Sequence, residues 1–322
     1  MDRSFFPLGF HMVSRLQPFY ALLIAFWVLW GWIDTGHVWA GTNVAVLYPK
    51  VNEPYRSIFN KILEGIESAV GSAAKPYPLS EDIDYTRVKE WLQKEQIRAI
   101  IALGKPGFVA ALAAGDELPV VTGALQIAPG NLFGISLSPD PTLLFNHLKE
   151  LVPKAKGVHV VYTESNGWLI KLAESAARAR GLRFTAYPVH DLREAVRQYQ
   201  ELLRTFRGPT EAIWLPLDHV SANEDVILPM LLQAAWDRDL VIFSSKPSHA
   251  QRGALFSLFP DYFAMGQSLA RMALHPDRSL ARQGVIPLAD LQVAVNLRTA
   301  LHLGLRFTPR QQEGFGLVFP SR

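Results

Sequence analysis

Apolar positions follow two rhythms along this chain, and the break between them falls near Gly41. Before it lies FYALLIAFWVLWGWI (Phe19 to Ile33), apolar without interruption. Arg15 precedes the run, Asp34 follows it, and HVWAG puts Val38 and Ala40 at the small-residue positions that signal peptidase reads. Basic start, apolar middle and small-residue end are the order of a secretory signal, and the run is shorter than the roughly 20 residues of a spanning helix. Residues 1–40 are therefore expected to be a signal peptide, with an uncleaved anchor as the alternative. Met12 also serves as a start, because beginning there gives a signal of ordinary length.

After Gly41, short apolar runs alternate with amphipathic stretches. NVAVLY (Asn43 to Tyr48) has the composition of a strand buried on both faces. NEP then opens a helix, with Asn52 as a cap and Tyr55, Ile58, Phe59, Ile62, Leu63, Ile66 and Val70 on one buried face. A weaker strand near Lys75 to Leu79 leads to a helix from Asp84 to Lys94, and strands follow at Arg98–Gly104, Leu118–Gly123 and Leu132–Ser138. A helix through PDPTLLFNHLKELVP ends at Pro153. The cycle then restarts: strand at Gly157–Thr163, helix to Gly181, strand in LRFTAYPV, helix from Asp191 to Phe206, strand in EAIWLPLD, helix from Ala222 to Trp236, strand in LVIFSS. Two successive sets of βα units predict two Rossmann-like α/β lobes with parallel sheets. No linker-like segment separates them, so crossing strands should join them. After Ser245 the pattern gives a short strand, a helix from about Asp261 to Leu274, and a final strand–helix pair.

Composition narrows the chemistry. The charge excess is +3, with no basic run interleaved with aromatics, so nucleic-acid binding has no support. Without cysteine there is no disulfide, thiolate metal site, Cys nucleophile or lipid-modified N-terminal Cys. The 9 His form no HExxH or HxxxH spacing, so no metal and no cofactor is expected.

In open parallel sheets, ligands sit beyond the carboxyl ends of the strands. That rule selects Tyr48, Lys105 and Leu125 in the first lobe, and Tyr162, Ser165, Asp218, His219, Ser244 and Ser245 in the second. Each has a plainer role open to it. Gly104, Pro106 and Gly123 are turn residues, TESNG can cap the next helix, and lysines are usually solvated. WLPLDHVSANED holds the three residue types of a hydrolase triad, but adjacent Asp218 and His219 point to different sides of a strand end, Ser221 falls where a helix cap is expected, and GxSxG is absent. A carboxylate that binds an ammonium group or a ligand hydroxyl, or one that caps a helix, are the readings left for Asp218.

The ordered series LKELVPKAKGVHVVYTESN, AIWLPLDHVSANE, LVIFSSKPSHAQRGALFSLFPDYFAMGQSLARMAL and LADLQVAVNLRTALHLGL resembles the ABC-transporter substrate-binding family that includes tryptophan- and tyrosine-binding receptors. IIALGKPGFVAAL extends the likeness into the first lobe; it runs from about Gly41 to Leu305 and is strongest from Leu148. The resemblance implies a type I periplasmic binding protein fold: residues 41–137 plus about 253–282 in one lobe, 138–252 plus about 283–322 in the other. It also implies a monomeric receptor, not an enzyme, that closes on a small solute and delivers it to an ABC permease in the inner membrane. Asp218 would then anchor a ligand amino group, Ser244 and Ser245 would be small polar contacts, and Asp261 and Tyr262 would serve a hinge or cap. Lys105, Lys246 and His249 depart from the family pattern toward basic residues, which suits a carboxylate-bearing ligand. Lacking a lipid-modified Cys, the product is expected to be periplasmic, or anchored if the signal is kept. The alternatives are a membrane-tethered or partner-docked sensor of the same fold, and an α/β enzyme.

Overall fold

The computed structural model describes residues 43–115, 117–130, 132–206, 208–274 and 284–320. The signal-peptide expectation lies outside these residues. No helix among them is long and apolar enough to cross a membrane.

The expected rhythm folds as β1 (Asn43–Pro49), α1 (Tyr55–Val70), β2 (Ala74–Leu79), α2 (Tyr85–Lys94), β3 (Ile97–Leu103), α3 (Gly104–Ala114), β4 (Val120–Leu125) and β5 (Gly134–Pro139). It continues with α4 (Pro141–Leu151), β6 (Gly157–Tyr162), α5 (Gly167–Ala179), β7 (Arg183–Pro188), α6 (Leu192–Thr205), β8 (Glu211–Leu215), α7 (Ile227–Arg238) and β9 (Val241–Ser244). The remainder is α8 (Pro247–Arg252), β10 (Phe256–Pro260), α9 (Tyr262–Leu274), β11 (Val285–Leu288), β12 (Leu291–Asn296), α10 (Leu297–His302), α11 (Pro309–Glu313) and β13 (Leu317–Phe319).

Two sheets result. The first has the order β11-β5-β4-β3-β1-β2 and the second β13-β12-β10-β9-β8-β6-β7. Every pair in the first is parallel; in the second, β12 runs antiparallel to β10. Their central strands are buried on both faces, as their unbroken apolar composition requires. Val44 and Val46 face a core with Ile62, Ile66 and Leu269, while Ala45 and Leu47 face Val88 and Leu92. In the second lobe Trp214 is fully buried, with Phe145 edge-on at 5.9 Å.

Helices α1 and α9 cross at two glycines. A Cβ on Gly65 would lie 2.0 Å from the Phe263 carbonyl oxygen, and one on Gly266 would lie 2.2 Å from that of Ile62. Only glycine lets these backbones meet, which ties α9, late in the chain, to the first lobe.

Three segments cross between the sheets: β5 into α4, β10 into α9, and β11 into β12. They are bonded to one another. Asp140 N–H donates to the Leu288 carbonyl (2.8 Å), and Asp261 N–H to the Asp290 carbonyl (2.9 Å). Asp261 also caps α9 by accepting from Ala264 N–H (3.0 Å), and its other oxygen accepts from Gln292 Nε2 (3.0 Å). These bonds, the Ala264 one foremost, hold its carboxyl below the usual carboxylate range.

The lobe boundaries differ from those expected. Residues 256–260 belong to the second sheet, because Phe256 and Leu258 pair with Val295 and Val293 of β12. The chain returns to the first lobe only at Asp261. Residues 285–288 belong to the first sheet, paired with β5. VIPL is too short and too uniformly apolar to reveal which sheet it joins. Two helix starts also differ. Asn52 does not cap α1 with its side chain; Glu53 accepts from Ser57 N–H (3.2 Å) instead. Helix α7 starts at Ile227, not Ala222, because Asn223 Oδ1 accepts from the N–H groups of Asp225 (3.1 Å) and Val226 (2.9 Å) and holds the chain in a turn.

Candidate functional site

The carboxyl ends of the two sheets approach one another. Gln126, just past β4, donates its side-chain N–H to the carbonyl of Leu217, just past β8. This contact joins the ends of β4 and β8, and the strand-end positions named from the sequence do different things in the structure.

Asp218 is buried at 8% exposure and its carboxylate is filled from within. Oδ2 accepts from Thr163 N–H (2.8 Å), the Thr163 hydroxyl (2.6 Å) and Asn166 Nδ2 (3.0 Å). Oδ1 accepts from the N–H groups of Val220 and Ser221, each at 3.0 Å. A carboxylate has about four lone-pair sites, so nothing is left for a ligand ammonium group. Burial by itself raises the Asp218 pKa, yet these bonds outweigh it and hold the group below its ordinary value. Asp218 is a staple between the loops after β6 and β8, not an anchor for ligand. TESNG likewise caps α5 with no side chain; its Thr163 and Asn166 serve Asp218. Because the Thr163 hydroxyl donates to Asp218, the exposed Ser165 hydroxyl must be the donor in its 2.9 Å bond to Thr163.

No triad forms. Ser221 gives its N–H to Asp218, and His219 is exposed, on the rim of a cavity of about 480 Å³ that Asn223, Glu224, Lys246 and His249 also line.

Ser244 and Ser245 also turn away from any ligand. Ser244 is fully buried; its Oγ lies 2.7 Å from His249 Nδ1 and 3.2 Å from the Leu215 carbonyl, and accepts from Lys246 N–H (3.1 Å). The Ser245 hydroxyl accepts from Trp214 Nε1 (3.1 Å). Both complete the scaffold beneath the cavity.

In the first lobe, Tyr48 and Leu125 are half-buried at the ends of β1 and β4, and Lys105 is exposed on the first turn of α3. Burial raises the Tyr48 hydroxyl pKa, with the Glu67 charge adding to it. Tyr162 packs partly into the second-lobe core. Ala124 stands at φ +53, in the left-handed region, where the register between β4 and β5 shifts. That strained residue stands just before Leu125, the last of β4, and Gln126 beyond it.

The residue that sequence reasoning missed is Glu224. It gathers the basic side chains at this edge: Lys246 Nζ is paired with its Oε1, His249 Nε2 lies 3.6 Å away, and Arg252 Nη1 lies 3.7 Å from its Oε2. The bond from Lys246 is the main reason its pKa falls below the carboxylate range. The basic departures at Lys246 and His249 are thus offset, and this edge is not basic. His249, 1% exposed, is pushed down to about 4 by burial and is neutral near pH 7. The acid was visible in SANED, but a helix through it hid its position. Among the described residues, no group of three or more His, Asp or Glu could hold a metal ion.

Two lobes of this topology define the type I periplasmic binding protein fold, and solved structures share it. One is an ABC domain in complex with L-Trp from Streptococcus pneumonia, at 18% identity and TM-score 0.51, covering 87% of this chain and 100% of that one. Another is an open, ligand-free substrate binding protein with adhesive properties from Clostridium difficile, at 17% identity and TM-score 0.58, covering 88% and 100%. No curated protein sequence matches this chain. The family model described as ABC transporter substrate binding protein matches residues 83–305. The chain belongs to that family.

Proposed function

We propose that this protein is a periplasmic receptor that closes on a carboxylate-bearing, amino acid-like solute and presents it to an ABC importer. The reading rests above all on the meeting of the two sheets' carboxyl ends, where Gln126 reaches Leu217. A solute held there touches both lobes, so its binding free energy favours the state in which they are closed. Lys105, exposed on the first lobe, is the group for the ligand carboxylate. Glu224, partly open to the cavity of the second lobe, replaces Asp218 as the acid for an ammonium group. The pneumococcal relative's L-Trp complex supports a ligand of this class.

The test is a thermal-shift screen of the purified protein against amino acids, mono- and dicarboxylates, sugars and nucleosides. A true ligand at 100 times its Kd adds about 2.7 kcal/mol and raises Tm by about 5–10 °C. A shift with sugars or nucleosides alone refutes the ligand class. Uptake of the hit must also fall in cells lacking the chain; unchanged uptake refutes the transport role.

A further inference from the structure

Away from the cleft, Arg252, Arg298 and Trp236 are among the residues that line an open cavity of about 420 Å³ on the second lobe. Gln233 and Trp236 of α7, Gln251 and Arg252 of α8, and Arg298 and Thr299 of α10 line it. No Asp or Glu is among the described residues lining it. The acids nearest in sequence are occupied: Asp237 accepts from Gln233 Nε2 (3.0 and 3.1 Å), and Asp239 lies 3.2 Å from His302 Nε2. Arg298 rests over Trp236, its guanidinium carbon 5.4 Å from the ring centroid, and has no ion pair among the described residues. Arg252 has one carboxylate near it, Glu224 at 3.7 Å, beyond hydrogen-bond reach.

The walls are fixed to each other before anything binds. Asn296 Nδ2 donates to the Ala250 carbonyl (2.9 Å), its Oδ1 accepts from Thr299 N–H (3.0 Å), and the Thr299 hydroxyl donates to the Gly253 carbonyl (2.9 Å). These bonds tie the end of α8, which carries Arg252, to the start of α10, which carries Arg298. On the third wall, His302 stacks on Trp236 at 3.8 Å and 9° and holds the indole in place. Guanidinium groups present paired N–H donors that match the oxygens of a carboxylate or phosphate.

We propose that this cavity is a second binding site, for a compact oxyanion, held between Arg252 and Arg298. The site itself does not depend on the cleft reading. Its consequence does: Arg252 also lies by Glu224, which holds Lys246 at the cleft edge. An oxyanion that draws Arg252 outward leaves Glu224 more fully to Lys246, so the two sites are thermodynamically linked.

The experiment titrates the purified full-length protein with inorganic phosphate and, separately, with succinate, at constant ionic strength with chloride as control. Saturable one-to-one binding of either is expected. Arg298→Gln should weaken it about tenfold or more while leaving the unfolding midpoint unchanged. Arg298→Lys, which keeps the charge but not the fork, should fall between. Preference for phosphate or for succinate tells which oxyanion the site takes. Absence of saturable binding by both, or equal binding by wild type and Arg298→Gln, overturns the proposal. Neither result touches the cleft reading: Arg298→Gln alters the second site alone, so succinate binding that survives in Arg298→Gln and is lost in Lys105→Glu belongs to the cleft and not to this cavity.

Discussion

Replacing Asp218 separates a staple from a ligand anchor. In Asp218→Ala, five donors lose their acceptor: Thr163 N–H, the Thr163 hydroxyl, Asn166 Nδ2, and the N–H groups of Val220 and Ser221. Each buried donor left unpaired costs about 1–3 kcal/mol. The costs do not add, since the loops relax together and water reaches the more open donors. Single substitutions rarely exceed about 5 kcal/mol, so a loss of about 3–5 kcal/mol is expected. Asp218→Asn keeps the shape and one acceptor oxygen, but its amide N–H₂ must face at least two donors; it should lose about 2–4 kcal/mol.

Urea unfolding followed by tryptophan fluorescence and by circular dichroism measures both variants. The slope should stay constant while the midpoint falls. Acid supplies a second check. The folded Asp218 has a lowered pKa. Its stabilisation is present above the unfolded value of about 3.9 and is lost as pH falls through the folded value. The gap between wild type and Asp218→Asn should therefore narrow below about pH 4. A loss of less than about 1 kcal/mol in Asp218→Ala, together with loss of ligand binding, would refute the staple and restore the anchor.

Three further outcomes follow from the geometry. His249, held at about 4, binds fewer protons folded than unfolded between that value and about 6.5, so its contribution is full above about pH 6.5 and lost as pH falls through 4. Denaturation of wild type between about pH 7.5 and pH 5 should show about 2 kcal/mol of destabilisation that His249→Asn lacks; parallel curves would count against a buried neutral imidazole. Gly266→Ala sets a methyl group 2.2 Å from the Ile62 carbonyl oxygen, a backbone atom that cannot rotate away, and should lower stability by about 1–3 kcal/mol or more in urea unfolding. Lys105→Glu, at an exposed position, should leave apo stability within about 0.5 kcal/mol while weakening a carboxylate ligand at least about tenfold by calorimetric titration; unchanged affinity removes Lys105 from the site.

How far apart in sequence two partners lie decides what a reader of letters can see. Asp84, Asp140 and Asp191 each cap a helix by accepting an N–H two or three residues on: Arg87, Thr142 and Glu194. Such starts were legible because everything they need is local. So was the βα rhythm, since strands buried on both faces must be apolar throughout. Asp218 has the same local equipment in Val220 and Ser221, and on those alone it reads as either a cap or an open carboxylate. What settles its role is Thr163 and Asn166, more than 50 residues earlier, which arrive only when β6 and β8 pair. Ser245 is settled the same way by Trp214 on the neighbouring strand, and Lys246 by Glu224, 22 residues earlier with α7 and β9 between them. The strand-end rule therefore finds the right edge and overstates its vacancies, because polar side chains there are also what holds one loop to the next. Of the named candidates at this edge, the exposed ones, Lys105, Ser165 and His219, have side chains open to a solute. Asp218, Ser244 and Ser245 are bonded to their neighbours and hold that edge in shape.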